Sequence, residues 1–255
     1  MMSGDKIKAN PQFNEIKAVF FDVYNTIARF WPPREEIQSQ ACRAFDISVA
    51  SYGIAIGYAS ADEFMARENA GDHPLRSKNL EETKAFFARY EQLILEGAGV
   101  HADLEFCSRI WEGVRQIPYG MALFEDVIPA LVRLRSLGFT VGVISNVRQK
   151  GSELTDSLGL TGYLDVAVTS GEVGAEKPHP PVFLEALRRA DVTAEKSVHI
   201  GDQYTSDILG ARNVGIHPVL LDRYGVSQGF NDVITVDSMM AVVSLMEEIC
   251  EKSSS

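Results

Sequence analysis

Cysteine is scarce in this sequence, and long apolar runs are missing from it. Its 255 residues include three cysteines, Cys42, Cys107 and Cys250, which lie far apart in the chain. Their odd number and wide spacing fit neither a disulfide framework nor a zinc site, so we expect buried, reduced thiols. No apolar run approaches the roughly 20 residues of a membrane span. Residues 1–6 are polar and begin no hydrophobic signal segment, so we expect a cytoplasmic protein without a membrane partner.

Positive charge is also in short supply. The chain has 24 Lys and Arg residues against 35 Asp and Glu residues, which gives a formal net charge of -11. This balance disfavours nucleic acid and anionic membranes as partners, although it allows a local basic pocket. Hydrophobic residues make up 45% of the chain and charged residues 23%, as in ordinary globular proteins. We therefore expect one large domain, or a core with a smaller insert.

Strand and helix patterns alternate from residue 124 onward. Such repetition predicts a parallel sheet covered by helices on both faces, which is a doubly wound α/β fold. The predicted strands cover residues 17–21, 140–144, 165–168, 197–200, 217–221 and 233–236. The predicted helices cover residues 127–137, 150–158, 181–190, 205–213 and 238–251.

The segment between residues 28 and 119 has a different pattern. Helical periodicity covers residues 34–45, 61–69, 80–95 and 104–114, without a convincing strand, and prolines punctuate both ends. We interpret this segment as a helical domain inserted after the first strand. Its aromatic residues are expected to form the core of the insert rather than a ligand cage. They are Phe64, Phe86, Phe87, Tyr90 and Trp111.

Ligands of doubly wound sheets bind beyond the carboxyl ends of the strands. In this chain Asp22 follows the apolar run 17–21 directly. An aspartate in that place can also cap a turn, so its position alone leaves both interpretations open. The other residues at predicted strand ends are Ser145, Asn146, Ser170 and Asp202.

Four short motifs follow one another at these strand ends. They are D-x-x-x-T at Asp22 and Thr26, an apolar strand ending in Ser145-Asn146, the pair Lys177-Pro178, and Gly201-Asp202 with Asp207 farther on. In this order and spacing, the chain resembles the haloacid dehalogenase superfamily of hydrolases over about its whole length. The resemblance implies a Rossmann-like core formed by residues 1–29 and 119–255. It also implies that residues 30–118 form a helical cap of the C1 type.

The carboxylates suggest a metal-assisted reaction. A carboxylate attacks an anionic phosphoryl group poorly unless cations offset the repulsion, and magnesium held by oxygen ligands supplies such a charge. The resemblance implies that Asp22 is the nucleophile and, with Asp202, a ligand of Mg²⁺. It adds the backbone carbonyl of Tyr24 as a third ligand, while Asp207 would hold the waters of the metal or the loop.

The remaining motif residues are expected to bind the transferred group. Lys177 supplies a positive charge that pairs with Asp22 and stabilises the transition state. The resemblance implies that Ser145 binds oxygens of the phosphate and that Asn146 helps to orient it. Thr26 either contributes to the Asp22 loop in this site or serves only as a turn hydroxyl.

Several conspicuous residues have simpler interpretations. His199 lies inside an apolar strand and is expected to be a core histidine with satisfied hydrogen bonds. His179 is expected to serve the turn into the next helix. Arg148 and Lys150 follow the second motif, and either solvated charges or contacts to a phosphate or carboxylate would explain them.

One expected group is replaced. Phosphatases of the superfamily generally carry a second aspartate two residues after the nucleophile, as acid and base, and here that position is Tyr24. General acid or base assistance contributes roughly 10²–10⁴ in rate, so its loss matters most for strongly basic leaving groups. The 2-haloacid dehalogenases of the superfamily share this tyrosine in a D-x-Y-G-T pattern. Their glycine is Asn25 here, and the chain keeps both Asp202 and Asp207, which favours a metal site.

Three interpretations follow. The leading one is a magnesium-dependent, phosphatase-like hydrolase that forms a covalent intermediate on Asp22 and acts on a phosphorylated metabolite. The second is a carbon-halogen hydrolase that uses the same nucleophile. The third is a catalytically weak member that binds a ligand or a protein partner. Residues of the insert would set the specificity, and the candidates are Arg29, Arg34, Tyr58, Arg67 and Trp111.

Overall fold

The computed structural model describes residues 13, 15–227 and 230–253. The polar N-terminal residues 1–6 lie outside the described residues. Within the described part of the chain, every helix is too short or too polar to cross a membrane. Cys42 and Cys107 are free, buried thiols there, and Cys250 is partly buried.

A parallel sheet forms the centre of the molecule, as the alternating pattern predicts. Six strands follow the order β5-β4-β1-β6-β7-β8, and every neighbouring pair is parallel. A separate pair, β2 and β3, is antiparallel. The strands of the described residues are β1 (Ala18–Phe21), β2 (Ala28–Trp31), β3 (Gly120–Leu123), β4 (Thr140–Ser145), β5 (Val166–Thr169), β6 (Ser197–Gly201), β7 (His217–Leu221) and β8 (Ile234–Val236).

The antiparallel pair corrects the sequence analysis, which found no convincing strand between residues 28 and 119. β2 lies inside that segment, and Arg29 pairs with Ala122 of β3. Its four residues, with one polar side chain between apolar ones, are too few for a periodicity signal. The pairing joins residues about 90 positions apart, which a local pattern does not reveal. The two strands connect the sheet to the helical segment.

Four helices fill the segment between the two strands of this pair. Helices α2 and α3 pack closely, and the apolar side chains of the segment form two buried clusters. The predicted aromatic core is present, since Phe86 and Tyr90 are buried, and Phe64, Phe87 and Trp111 pack around them. Tyr90 and Trp111 also line a cavity that faces the sheet, so they are not core residues alone. The bounds are α1 (Arg34–Arg43), α2 (Ser51–Ala70), α3 (Leu80–Gly97) and α4 (Leu104–Val114).

Helix α2 begins ten residues before the predicted start at residue 61. Its first half contains Gly53 and Gly57, and glycine disfavours helix by about 1 kcal/mol relative to alanine, which hides the helical pattern. The structure explains Gly57, because a Cβ atom there would overlap the backbone of Ile94 in α3. The two helices can cross at this distance only without that side chain.

Helices cover both faces of the sheet. Val19 and Phe21 of β1 belong to one buried cluster, and Ala18 and Phe20 belong to another on the opposite face. This alternation is that of a strand buried on both sides. The helices are α5 (Val127–Ser136), α6 (Gly151–Ser157), α7 (Ser170–Val173), α8 (Pro180–Ala190), α9 (Gly210–Asn213) and α10 (Met239–Ser253), with a π-helix at Tyr204–Leu209.

The close crossing of α2 and α3 gives a first prediction. We expect Gly57→Ala to lower the free energy of unfolding by about 1–3 kcal/mol, because the added methyl group overlaps a backbone that cannot move alone. Urea denaturation followed by circular dichroism measures the change. Gly113→Ala in α4 is the matched control, since its Cβ would lie 3.8 Å from the Cβ of Ala41. Equal stability of the two variants would contradict this description of the crossing.

Candidate active site

The strand ends bring three polar residues to one edge of the sheet. The chain runs from β1 outward to β4 and β5 and then to the other side of β1 with β6, β7 and β8. Strand order therefore reverses at β1, where doubly wound sheets form their binding crevice. Phe21 is in register with Val143 and Ile200. Asp22, Ser145 and Asp202 consequently lie at nearly the same level.

A buried lysine joins two carboxylates at this edge. The Nζ atom of Lys177 lies 2.5 Å from Oδ1 of Asp22 and 2.6 Å from Oδ1 of Asp207. Burial alone would lower the pKa of Lys177, but Asp207 and Asp22 raise it above its ordinary value. Lys177 is therefore a permanent cation, and it brings the nucleophile candidate and the end of the fourth motif together.

Asn146 holds the backbone of Lys177. Its Oδ1 accepts a hydrogen bond from the Lys177 amide at 2.7 Å, and its Nδ2 donates to the Lys177 carbonyl at 3.0 Å. The side chain also lines the cavity above Asp22, as does Ser145. Asn146 thus fixes the position of the lysine, a role that local sequence could not reveal because 31 residues separate the two.

Asp207 is fully engaged within the protein. Besides Lys177, its Oδ1 accepts a hydrogen bond from Nε2 of His199 at 2.9 Å, and its Oδ2 accepts one from the Gln203 amide at 3.1 Å. Burial would raise the pKa of the Asp207 carboxyl, but Lys177 and the His199 hydrogen bond lower it below its ordinary value. His199 is buried, as a core histidine should be, although its Nδ1 has no partner among the described residues.

Gly201 makes room for this carboxylate. A Cβ atom at position 201 would overlap the Asp207 side chain, so the fourth motif needs glycine there for steric reasons. Asp207 lies in the π-helix. This form is rare in proteins, but where it occurs it is often at a functional site. The predicted α-helix over residues 205–213 is therefore a π-helical turn followed by α9. This turn carries Asp207 back against the end of β6.

The three aspartates have more negative charge than the lysine neutralises. One carboxylate oxygen from each of Asp22, Asp202 and Asp207 lies within 4.8 Å of the others. Oδ1 of Asp202 is buried without a hydrogen-bond partner among the described residues. Burial, together with Asp22, raises the pKa of Asp202 well above its ordinary value. Because Asp207 is occupied by its protein partners, the oxygens of Asp22 and Asp202 are the ones that fit a divalent cation.

Burial also raises the pKa of Asp22, as it does that of Asp202. The pKa of the Asp22 carboxyl rises to about 6, since Lys177 offsets the effect of burial only in part, and the negative charge of Asp207 adds to the rise. A second cation beside Asp22 would lower that pKa and keep the carboxylate ionised at neutral pH. The charges around Asp22 therefore fit a cation in this position.

The loop after Asp22 is tightly folded. The Val23 carbonyl accepts hydrogen bonds from the amides of Ile27 and Ala28, at 3.0 and 2.8 Å. Asn25 has a left-handed backbone with φ 54°, which asparagine tolerates better than most residues other than glycine. Asn25 in place of the dehalogenase glycine is thus a backbone-compatible exchange, and it does not argue against that class.

Thr26 is buried, and its hydroxyl has no hydrogen-bond partner among the described residues. Its carbonyl accepts a hydrogen bond from Nε of Arg223 at 2.9 Å. The Arg223 guanidinium is held by both carboxylate oxygens of Asp126, each at 3.0 Å, and lies over the ring of Phe124. Arg223 was missed in the sequence, because it lies almost 200 residues from the loop that it supports.

A cavity of about 530 Å³ lies above Asp22. Its floor contains Asp22, Ser145 and Lys177, and the helical segment supplies its roof. Three candidates for specificity, Arg34, Tyr58 and Trp111, line the cavity. The other two do not: Arg29 lies between the rings of Trp31 and Phe124, and Arg67 pairs with Glu63 at an exposed position.

Polar contacts hold the roof on the sheet. The Thr205 hydroxyl donates to Glu63 of α2 at 2.5 Å, and Arg76 donates to the Gly174 carbonyl at 3.1 Å. Nε2 of His179 lies 3.2 Å from the Asn69 carbonyl, so this histidine contacts the helical segment in addition to preceding α8.

Three further residues from the sequence analysis lie outside the cavity. Ser170 donates to the Val147 carbonyl at 3.2 Å and begins α7. Arg148 and Lys150 are exposed and do not belong to the cavity lining. Their position favours the interpretation as solvated charges.

Tyr24 lies in the cavity near the nucleophile candidate. Its ring packs edge-on against Phe30, with centroids 4.9 Å apart. Burial, with smaller effects of Tyr119 and Asp22, raises the pKa of its phenol to about 12. At neutral pH the phenol is protonated and is a poor base.

Comparison with known proteins agrees with this geometry. A family model described as haloacid dehalogenase-like hydrolase matches residues 16–215. The chain is 28% identical over 215 residues to a glyceraldehyde 3-phosphate phosphatase of Methanopyrus kandleri, covering 82% of this chain and 84% of that protein. It is 37% identical over 134 residues to the protein of the same name from Methanothermobacter thermautotrophicus, covering 49% of this chain and 58% of that protein.

A solved structure has a similar fold. The crystal structure of a 2-haloacid dehalogenase from Pseudomonas syringae has a TM-score of 0.52 and 25% sequence identity. The alignment covers 91% of this chain and 99% of that one. Proteins named as phosphatases and as a dehalogenase therefore both resemble this chain.

Lys177, Asp22, Asp202 and Asp207 form a charge cluster, and its composition predicts the effect of removing the lysine. We expect Lys177→Met to lower the free energy of unfolding by about 3–5 kcal/mol at pH 7.5, because buried carboxylates lose their counter-charge. The loss should shrink toward pH 4.5. Lys177 lowers the pKa of Asp22, which burial still raises to about 6, so the part of its stabilisation that comes from this ion pair is lost as the pH falls below about 6. The part that comes from Asp207 persists at pH 4.5, because the lowered pKa of Asp207 lies below the ordinary carboxyl value.

Urea unfolding at both pH values, with a chelator present, measures this change. Lys196→Met is the matched control, since Lys196 pairs with Glu15 at the surface, and we expect little change for it. A Lys177→Met variant as stable as the control at pH 7.5 would contradict the role of Lys177 as the counter-charge of the cluster.

Proposed function

The chain belongs to the haloacid dehalogenase-like hydrolases, and we propose that it is a phosphatase that hydrolyses the phosphate monoester of a small molecule. The observation that carries the proposal is the charge cluster. The carboxylates of Asp22, Asp202 and Asp207 lie together, and the ammonium group of Lys177 pairs with Asp22 and Asp207. One buried oxygen of Asp202 has no partner among the described residues. Such a cluster suits a site that binds a divalent cation and a phosphoryl group together.

The proposed metal is Mg²⁺. Its ligands would be the carboxylates of Asp22 and Asp202 and the backbone carbonyl of Tyr24, with Asp207 acting through water or through Lys177. When bound, the ion would neutralise charge on the phosphate and on the nucleophile. The oxygen-rich donor set is of the kind that magnesium prefers.

The proposed domain division follows from the same site. Residues 1–29 and 119–255 would form the core, and residues 30–118 would form a cap over the strand ends. The cavity between the cap and the core would hold the leaving group, while the strand ends hold the phosphate. Contacts such as Thr205 with Glu63 would then close the cap over the substrate.

The reaction would proceed in two steps at Asp22. In the first, a carboxylate oxygen of Asp22 attacks phosphorus, the bond to the ester oxygen breaks, and an aspartyl phosphate forms while the leaving group departs as an oxyanion that takes a proton from solvent. Lys177 offsets the negative charge in the transition state, and Ser145 and the backbone amides after it, including that of Asn146, bind the phosphoryl oxygens. In the second, water attacks phosphorus, phosphate leaves, and the Asp22 carboxylate is restored.

Tyr24 would affect both steps. In the first step the leaving oxygen needs a proton, and the Tyr24 phenol is too weak an acid to supply it readily. In the second step water needs a base, and the protonated phenol is a poor one. The proposed enzyme therefore favours leaving groups that need no strong acid, and its second step is slow. Glyceraldehyde 3-phosphate, the substrate in the names of the archaeal relatives, is an alkyl ester with a basic leaving group, so the proposed enzyme would hydrolyse it slowly.

A second candidate function is carbon-halogen hydrolysis. Tyr24 in the D-x-Y pattern and the 25% identity to the Pseudomonas syringae dehalogenase favour it, and the left-handed backbone of Asn25 is compatible with it. The same Asp22 would displace halide, which leaves without a proton. The excess of carboxylates beside Asp22 weighs against this candidate, because it gives the nucleophile an anionic environment without a metal.

We expect purified protein to release phosphate from p-nitrophenyl phosphate with Mg²⁺ and to stop when a chelator is added. Asp22→Asn should abolish the reaction, and Asp202→Asn should lower it by about 10²-fold or more by removing a charged ligand of the ion. Asp72→Asn is the matched control, since Asp72 is exposed and lies outside the cavity. Nitrophenolate absorbance gives the rate.

If the protein releases halide from a short 2-halo acid and continues to do so with a chelator present, the phosphatase proposal is overturned in favour of the dehalogenase. If neither phosphate nor halide is released, and Mg²⁺ does not raise the melting temperature, the results would instead favour a binding protein without hydrolase activity. The Asp22→Asn protein must keep its circular dichroism spectrum for the comparison to count.

Tyr24→Asp should raise phosphatase activity on an alkyl phosphate about tenfold, because a carboxyl group supplies the acid and base that the phenol does not. Tyr24→Phe is the control and should leave the activity nearly unchanged. The measured quantity is kcat with Mg²⁺ at neutral pH. A large loss in Tyr24→Phe, or a folded Tyr24→Asp protein without any gain, would show that position 24 does not carry the proton-transfer step.

A further inference from the structure

The cavity above Asp22 has two unlike walls. The floor at the strand ends is polar and charged, whereas the wall formed with the helical segment carries five aromatic rings among aliphatic and polar side chains. Its rings come from separate elements of the chain. They are Phe30 of β2, Tyr58 of α2, Tyr90 of α3, Trp111 of α4 and Tyr119 just before β3.

These rings are held in place by their neighbours. The Trp111 ring stacks on Phe87, with centroids 4.8 Å apart and an interplanar angle of 8°, and Tyr90 contacts it edge-on. Phe30 is fixed edge-on to Tyr119 at 4.8 Å. A ligand ring that enters the cavity would meet surfaces that are already ordered, so its binding costs little conformational entropy.

The charged groups of this wall are largely matched with one another. The Arg34 guanidinium lies 2.6 Å from Asp62 and stacks over the ring of Tyr58. The Tyr90 hydroxyl donates to the other oxygen of Asp62 at 2.5 Å. Arg115 also lines the cavity, but it is exposed, so solvent and salt screen its charge. The inner wall therefore offers ring surfaces rather than a free cation for a second anionic group.

We propose that the leaving group of the substrate is an aromatic alcohol, whose ring binds against Trp111, Tyr119 and Phe30 while its phosphate lies at Asp22. This inference rests on the proposed phosphatase function and names its substrate class. The cavity of about 530 Å³ has the size of ordinary small-molecule sites. An aryl phosphate also suits a site in which residue 24 is a phenol rather than a carboxylic acid.

A binding experiment separates ring recognition from the chemistry of the leaving group. The probes are phenylphosphonate and methylphosphonate, which carry the same charged group but no bond that the enzyme can hydrolyse. Calorimetry with Mg²⁺ measures both dissociation constants on the full chain. We expect phenylphosphonate to bind about tenfold more tightly, as one ring contact of ordinary strength predicts.

The preference should depend on the named rings. Tyr119→Ala removes an exposed ring with little risk to folding, and we expect it to reduce the preference for the phenyl group severalfold while leaving methylphosphonate binding unchanged. Trp111→Leu should do the same if the protein keeps its circular dichroism spectrum. Tyr52→Ala is the matched control, because Tyr52 is as exposed as Tyr119 and lies outside this cavity.

Equal binding of the two phosphonates would overturn the inference and leave the phosphatase proposal intact. An unchanged preference in the folded Tyr119→Ala and Trp111→Leu variants would overturn the assignment of these rings. If neither phosphonate binds in the presence of Mg²⁺, the phosphoryl site itself is wrong, and the proposed function fails together with the inference.

Discussion

The ammonium group of Lys177, shared between Asp22 and Asp207, is the interaction on which the rest of the site depends. It draws together groups from β1, the segment before α8 and the π-helix, which meet only in the folded chain. The Asn146 side chain accepts a hydrogen bond from the backbone amide of Lys177, and Gly201 leaves room for Asp207. Because one ammonium cannot neutralise three carboxylates, the same interaction leaves a negative excess that a divalent cation would offset.

The sequence predicts those parts of the molecule that depend on local patterns. The buried strands and the residues at their ends follow from apolar runs that stop at polar residues, and parallel pairing then brings Asp22, Ser145 and Asp202 to one edge. Features that depend on distant packing escape this logic. The β2 and β3 pairing joins segments about 90 residues apart. Arg223 meets the Thr26 loop only because β7 lies near β1 in the sheet.

The cavity wall illustrates the same limit in more detail. Helical periodicity identifies the apolar faces of the inserted helices, but it does not tell which polar side chains face the sheet. The sequence marks Arg34 of α1 only as one of several candidates for specificity and does not single out Asp62 of α2, and only the packing of the two helices joins them. The glycines that weaken the helical pattern of α2 are required by its crossing with α3. A residue that spoils a local signal can thus report a tertiary contact.

The central claim is that Asp22 accepts a phosphoryl group in a site whose second step lacks a good base. Rapid mixing with p-nitrophenyl phosphate and Mg²⁺, followed by acid quench and peptide mass analysis, tests it most directly. The account predicts an initial burst of about one nitrophenolate per protein molecule, then a slower steady rate, with a phosphoryl group on the peptide that contains Asp22. Linear release from the first turnover, with that peptide unmodified, would contradict it.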